Sequence, residues 1–126
     1  MGIKTLLVDD EEDLLDLMAG ELESVGFDVT KATSGTSAME LIRNNGYDLI
    51  VVDYRIDGPN GLDLVEAARK SKANKESILW VMTGAADPDF VTRIVEAEVD
   101  LFLQKPINLD ELRNCLIDAF PQVHTV

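Results

Sequence analysis

The fold this sequence predicts is an α/β domain, a parallel five-stranded sheet doubly wound with helices on both faces. Short apolar runs alternate with amphipathic stretches in a βαβα rhythm. One run, Leu49 to Val52, is continuously apolar, as a central parallel strand covered on both faces must be. Right-handed crossovers leave few other arrangements for five strands that each lead into a helix.

Taken in order, Ile3 to Val8 reads as a buried strand that ends in acids. A helix follows from Asp10, with Leu14, Met18 and Leu22 four apart, and Gly26 stops it. Phe27 to Ala32 is the second strand. Ser37 to Asn45 is a short helix with Met39 and Ile42 on one side, closed by Gly46. After the third strand, Tyr54 to Gly61 carries two Gly, one Pro and one Asn and is a loop. Leu62 to Lys70 is helical, and the polar run Ser71 to Ser77 leads to the fourth strand, Ile78 to Met82. Asp87-Pro88 pairs an N-cap with Pro at the first helical position, opening a helix that carries Val91, Ile94 and Val95 on one side. Val99 to Leu103 is the fifth strand. Asn108 caps the last helix, Glu111 stands where a capping box needs it, and Leu112, Leu116 and Phe120 form the apolar stripe.

Composition narrows the function. The 126 residues suit one domain, with a core over about 3–120 and a short tail, 121–126. A hydrophobic content of 46% supports a real core and excludes disorder. Eleven Lys and Arg against 24 Asp and Glu leave a net charge of −13, which argues against nucleic-acid and anionic-membrane surfaces. The single cysteine, Cys115, makes neither an internal disulfide nor a zinc cage, so a reducing compartment is expected. Acids begin at Asp9, so no signal peptide is expected, and no apolar run approaches the roughly 18 residues of a membrane span. A cytoplasmic location follows as the expectation.

In parallel sheets of this kind ligands bind beyond the carboxyl ends of the strands. Those ends carry Asp9 and Asp10 after the first strand, Asp53 after the third, Thr83 after the fourth and Lys105 after the fifth. Three carboxylates, a hydroxyl and an ammonium converging on one edge repel one another unless a cation intervenes. Mg²⁺ takes oxygen ligands, commonly one or two carboxylates with a phosphate. The set has no neighbouring His or Cys, so zinc is not the metal expected. With two carboxylates on the metal, the third is free to act as a nucleophile and form an aspartyl phosphate. A hydroxyl and an ammonium beside it suit the oxygens of an incoming phosphoryl group.

Val8-Asp9-Asp10, Val51-Val52-Asp53, Val81-Met82-Thr83-Gly84 and Lys105-Pro106, in that order, resemble the receiver domain of two-component response regulators. The intervals from Asp53 to Thr83 and to Lys105 fit, as does Gly61 closing the loop after Asp53, and the resemblance runs from Ile3 to Phe120. It implies the flavodoxin-like strand order 2-1-3-4-5. It further implies that Asp53 is the phosphoacceptor, and that Asp9, Asp10 and Asp53 hold Mg²⁺ or Mn²⁺ together with the Arg55 backbone carbonyl. Asp10 would be the direct ligand. Lys105 would pair with the phosphoryl oxygens, Thr83 would hydrogen-bond them, and Phe102 would take the place of the aromatic switch residue, more often Tyr. The Lys105-Pro106 bond would be cis. No separate organic cofactor is implied.

The implied function is a phosphorylation-dependent switch. A histidine kinase or phosphotransfer protein supplies the phosphoryl group, and the face of the fourth helix, fifth strand and fifth helix engages a downstream effector or an output domain outside this sequence. Such a protein is not an enzyme beyond catalysing its own phosphorylation and dephosphorylation. Two departures stand out: Asp57 replaces the family's Pro, with Pro59 two residues later, and Glu98 replaces a Gly before the fifth strand. The second leaves the preceding helix without the easy left-handed cap. Three rivals follow from the same residues. A haloacid-dehalogenase-like phosphatase needs an Asp where Arg55 stands. Flavodoxin-like cofactor binding needs a phosphate loop where Asp9-Asp10-Glu11 would repel phosphate. A pseudo-receiver scaffold keeps the fold without phosphorylation.

Overall fold

The computed structural model describes residues 2–84 and 98–123. Five parallel strands, β1 (Ile3–Val8), β2 (Phe27–Ala32), β3 (Leu49–Asp53), β4 (Ile78–Thr83) and β5 (Leu101–Gln104), form one sheet in the order β2-β1-β3-β4-β5. The described helices are α1 (Glu12–Ser24), α2 (Gly35–Asn44), α3 (Gly61–Lys70) and α4 (Leu109–Ala119). The helix expected at Asp87-Pro88, with Val91, Ile94 and Val95, falls outside the described residues, as does His124. None of the described helices is long and apolar enough to cross a membrane.

Alternation along the strands decides which side chains meet which helices. Leu6, Val8, Ile50, Val52, Leu79 and Val81 face α2 and α3, while Leu7, Leu49, Val51, Trp80 and Met82 face α1 and α4. β3 is buried at all five positions, as its unbroken apolar run requires. On α1 the buried stripe is Leu15, Met18, Ala19 and Leu22, with the expected Leu14 only half-buried. Phe27 meets Phe120 edge-on at 5.5 Å, which closes the α4 side of the core. Met39 and Cys115 are partly buried against the two cores.

Helix starts follow side-chain caps. Ser34 accepts from Ser37 N, so α2 begins two residues before the expected start. Asn60 and Asp63 form a reciprocal capping box at α3, a pairing the sequence reading placed only at Asn108. There the Asn108 side chain accepts from Glu111 N.

β5 begins at Leu101, two residues later than expected, because the chain is still turning at Glu98 and bends at Asp100 before it joins the sheet. Glu98 itself takes the left-handed conformation, φ +53°, that a Gly would adopt freely. Its carbonyl is held by Arg69, whose Nη2 donates to it at 2.8 Å and to Asp100 Oδ2 at 3.1 Å. Nη1 of the same guanidinium donates to the carbonyls of Lys75 and Ser77. Asp100 Oδ2 in turn accepts from Leu79 N at 2.8 Å, which fixes the start of β5 against β4. Most of these bonds run to backbone or to Asp100, and the Glu98 carboxylate lies 3.9 Å from Arg69 in an exposed pair of little value. Glu98→Gly therefore keeps the Arg69 network and relieves the left-handed strain. The expected result is a gain of about 0.5–1 kcal/mol, after Gly's greater freedom in the unfolded chain is set against that strain. Urea denaturation checks it, and a lower midpoint would contradict it.

The polar run 71–77 conceals a buried residue. Asn74 is fully buried, accepts from Tyr47 N at 2.8 Å and donates to the carbonyls of Ile42 at 2.8 Å and Asn45 at 2.7 Å. One side chain thereby joins the C-terminal end of α2, the approach to β3 and the approach to β4.

Candidate functional site

The site forms where β1, β3 and β5 end. Thr5 to Val8 are buried, so the carboxylate that follows, Asp9, emerges with no exposure at all. Val8 pairs with Val52, which sets Asp9 and Asp53 side by side at the end of adjacent strands. Asp53 is 6% exposed. Thr83 pairs with Gln104, so Lys105 comes next, and its N–H donates to the Thr83 carbonyl at 2.8 Å. The Lys105-Pro106 peptide is cis.

From there the Lys105 ammonium reaches back across the sheet. Its Nζ lies 2.9 Å from Asp9 Oδ2 and 2.9 Å from Asp53 Oδ2. Glu11 Oε1, exposed at the start of α1, stands 3.4 Å from the same nitrogen. Asp9 Oδ1 accepts from Glu11 N at 2.8 Å, and Asp53 Oδ1 from Arg55 N at 3.3 Å. Asp9 Oδ2 lies at ion-pair distance from Lys105 and is a buried carboxylate oxygen without a hydrogen-bond partner.

Burial pushes the Asp53 carboxyl above the usual carboxylate range, with the Asp9 charge adding to the effect and Lys105 opposing it. For Lys105, burial alone would lower the pKa, but its contacts with Asp9 and Asp53 outweigh burial and hold the ammonium well above the ordinary lysine value. Oxygens of Asp9, Asp10 and Asp53 lie within 4.8 Å of one another. Three carboxylates against one ammonium leave the cluster negative. Its hard oxygen donors, and the one buried oxygen without a hydrogen bond, fit a hard divalent cation such as Mg²⁺. Asp10, Tyr54, Arg55, Ile56, Asp57 and Asn60 line an adjoining cavity of about 460 Å³. Thr83 is half-buried at the end of β4, one residue beyond Met82, the partner of Asp53. Phe102 is half-buried on β5 and packs on the α2–α3 side of the core.

With this geometry in place, the comparison with known families is direct: the model of the response regulator receiver domain matches residues 5–117. The chain belongs to that family. Receivers are phosphorylation-dependent signalling domains of two-component systems rather than enzymes acting on outside substrates. They bind Mg²⁺ in an acidic pocket and interact with histidine kinases and downstream effectors. This receiver is 27% identical to chemotaxis protein CheY of Pseudomonas aeruginosa, covering 97% of this chain and 99% of that one. It is 33% identical over 108 residues to a cyclic di-GMP phosphodiesterase of Thermotoga maritima, covering 86% of this chain and only 28% of the relative. Among solved structures it matches the receiver domain of sensor histidine kinase PA1611 from Pseudomonas aeruginosa. That match has a TM-score of 0.84, 23% identity and coverage of 97% and 100%, and the PA1611 structure has magnesium in its active-site cleft.

Proposed function

We propose that this receiver accepts a phosphoryl group on Asp53 from a phosphohistidine of a kinase or phosphotransfer protein. The observation that supports it is the Lys105 ammonium at 2.9 Å from both Asp9 and Asp53, inside a cluster of three carboxylates. Asp9, Asp10 and Asp53, with the Arg55 carbonyl, would hold Mg²⁺, which when bound offsets the charge of the phosphoryl oxygens. Attack by Asp53 forms the carboxyl O–P bond as the P–N bond to the donor histidine breaks, and the histidine leaves with its electron pair. Lys105 gives up one carboxylate contact for the phosphoryl oxygens. Thr83 donates its hydroxyl to another of those oxygens, and Phe102 follows. Most of the acceleration is positioning and electrostatics, as in phosphoryl transfer generally. Water then hydrolyses the acyl phosphate and returns the carboxylate.

The new charge biases two conformations of the face carried by β5, α4 and the helix expected before them. A partner that prefers one conformation favours phosphorylation in return. Intact-mass spectrometry after incubation with a small acyl-phosphate donor tests the reading. One phosphoryl adduct is expected, dependent on Mg²⁺ and removed by hydroxylamine. If neither the donor nor a kinase screen yields an adduct, the chain is a phosphate-independent scaffold.

A further inference from the structure

The Arg55 carbonyl can serve the cation only if the loop between β3 and α3 holds its shape. That loop is fixed at one end by Arg55 N on Asp53 Oδ1 and at the other by the Asn60–Asp63 capping box and by Gly61 N donating to Tyr54 O at 3.0 Å. Its middle is Asp57-Gly58-Pro59, with Gly58 at φ +85°. This stretch is braced from outside by the first turn of α2. Gly35 N donates to the Asp57 carbonyl at 2.9 Å. A Cβ on Gly35 would fall 1.9 Å from the Pro59 carbonyl oxygen and within 3.0 Å of its C and N, all of them backbone atoms. Gly58, at φ +85°, packs on Thr36 in the same turn, where an added Cβ would lie 2.8 Å from Oγ1.

No rotamer change can relieve a clash between a Cβ and backbone, so a methyl group at position 35 must drive the loop and the start of α2 apart by about an ångström. A displaced loop would alter where Arg55, Asp57 and Asn60 stand relative to Asp10, with which they line one cavity.

We propose that Gly35 is a positioning residue for the phosphoryl-transfer site: by admitting the Pro59 carbonyl against the start of α2, it sets the path of the loop and thereby the cation affinity. This rests on Asp9, Asp10 and Asp53 being a cation site. It adds that the affinity is controlled from β2–α2, an element that supplies no ligand.

The test is calorimetric titration with Mg²⁺ on the whole chain, together with the Mg²⁺ dependence of the adduct rate. Gly35→Ala is expected to raise the Mg²⁺ dissociation constant about tenfold, the size of effect seen when groups supporting a metal ligand are disturbed. The adduct rate at saturating Mg²⁺ should stay near wild type. Gly20→Ala, where an added Cβ meets nothing within 4 Å, controls for glycine replacement. Asn74→Ala controls for lost stability at the opposite edge of the sheet, and neither control should move the affinity. Should Gly35→Ala fail to fold, Gly58→Ala is expected to give a smaller rise in the same direction. Affinity unchanged in these variants while wild type binds Mg²⁺ overturns the positioning role alone. A wild type that binds no Mg²⁺ overturns the cation site and this role with it.

Discussion

Asp53→Asn is expected to take up no phosphoryl group from an acyl-phosphate donor under conditions where wild type gains one adduct. The amide has the shape of the carboxylate but lacks the charge and the nucleophilic oxygen pair that attack at phosphorus requires. Its fold should be more stable than wild type, so the loss cannot be ascribed to unfolding. The folded Asp53 pKa is raised above its unfolded value, by burial first and the Asp9 charge second. Such a carboxyl contributes its stability below the unfolded pKa and loses it as pH rises through the folded value. Wild type should therefore trail Asp53→Asn by on the order of 1 kcal/mol at neutral pH, a common gain when a functional charge is removed. The two should converge as pH falls below about 4. Mass spectrometry and urea titrations at several pH values read both effects. An adduct that survives in the mutant would place the acceptor elsewhere.

The second large effect is far from this chemistry. Asn74→Ala should cost about 3–4 kcal/mol, because it strands the buried N–H of Tyr47 and the carbonyls of Ile42 and Asn45 and leaves a void. Domains of this kind are held by only about 5–15 kcal/mol, so the variant would be marginal in warm solution. The urea midpoint should fall with the slope unchanged, while the protein that remains folded takes up phosphoryl groups normally. A cost below about 1 kcal/mol would mean that the three backbone groups find other partners.

These two residues also mark what can be read from sequence. Asp53 ends an apolar run, and strand ends of a parallel sheet share one edge, so its meeting with Asp9 and Lys105 follows from pattern and topology. Asn74 sits among Ser71, Lys72, Lys75 and Glu76, where every local signal indicates a solvated loop. Its burial comes from contacts with positions 42, 45 and 47, distant in sequence, and no local pattern encodes such contacts. Glu11 shows a related limit: it is an exposed residue at the start of α1, as a run of five acids suggests, and only the reach of Lys105 from the fifth strand brings its carboxylate to 3.4 Å. The late start of β5 belongs with these: the sequence marks Glu98 as the place of a missing Gly, but not that the glutamate keeps the left-handed backbone with Arg69 holding its carbonyl. The register of Gly35 on Pro59 is likewise invisible until two loops are laid together.

An ammonium gripped by two carboxylates is also a poor nucleophile. Acylating reagents attack the free amine, and Lys105 is held protonated well past the pH at which ordinary lysines begin to lose their proton. Lys4, Lys70, Lys72 and Lys75 are exposed, so amine labelling would mark them while Lys105 stayed unmodified. If Asp53 takes up a phosphoryl group as proposed, the phosphoryl oxygens would replace that carboxylate as anionic partners, and the lysine is expected to stay silent to such reagents then too.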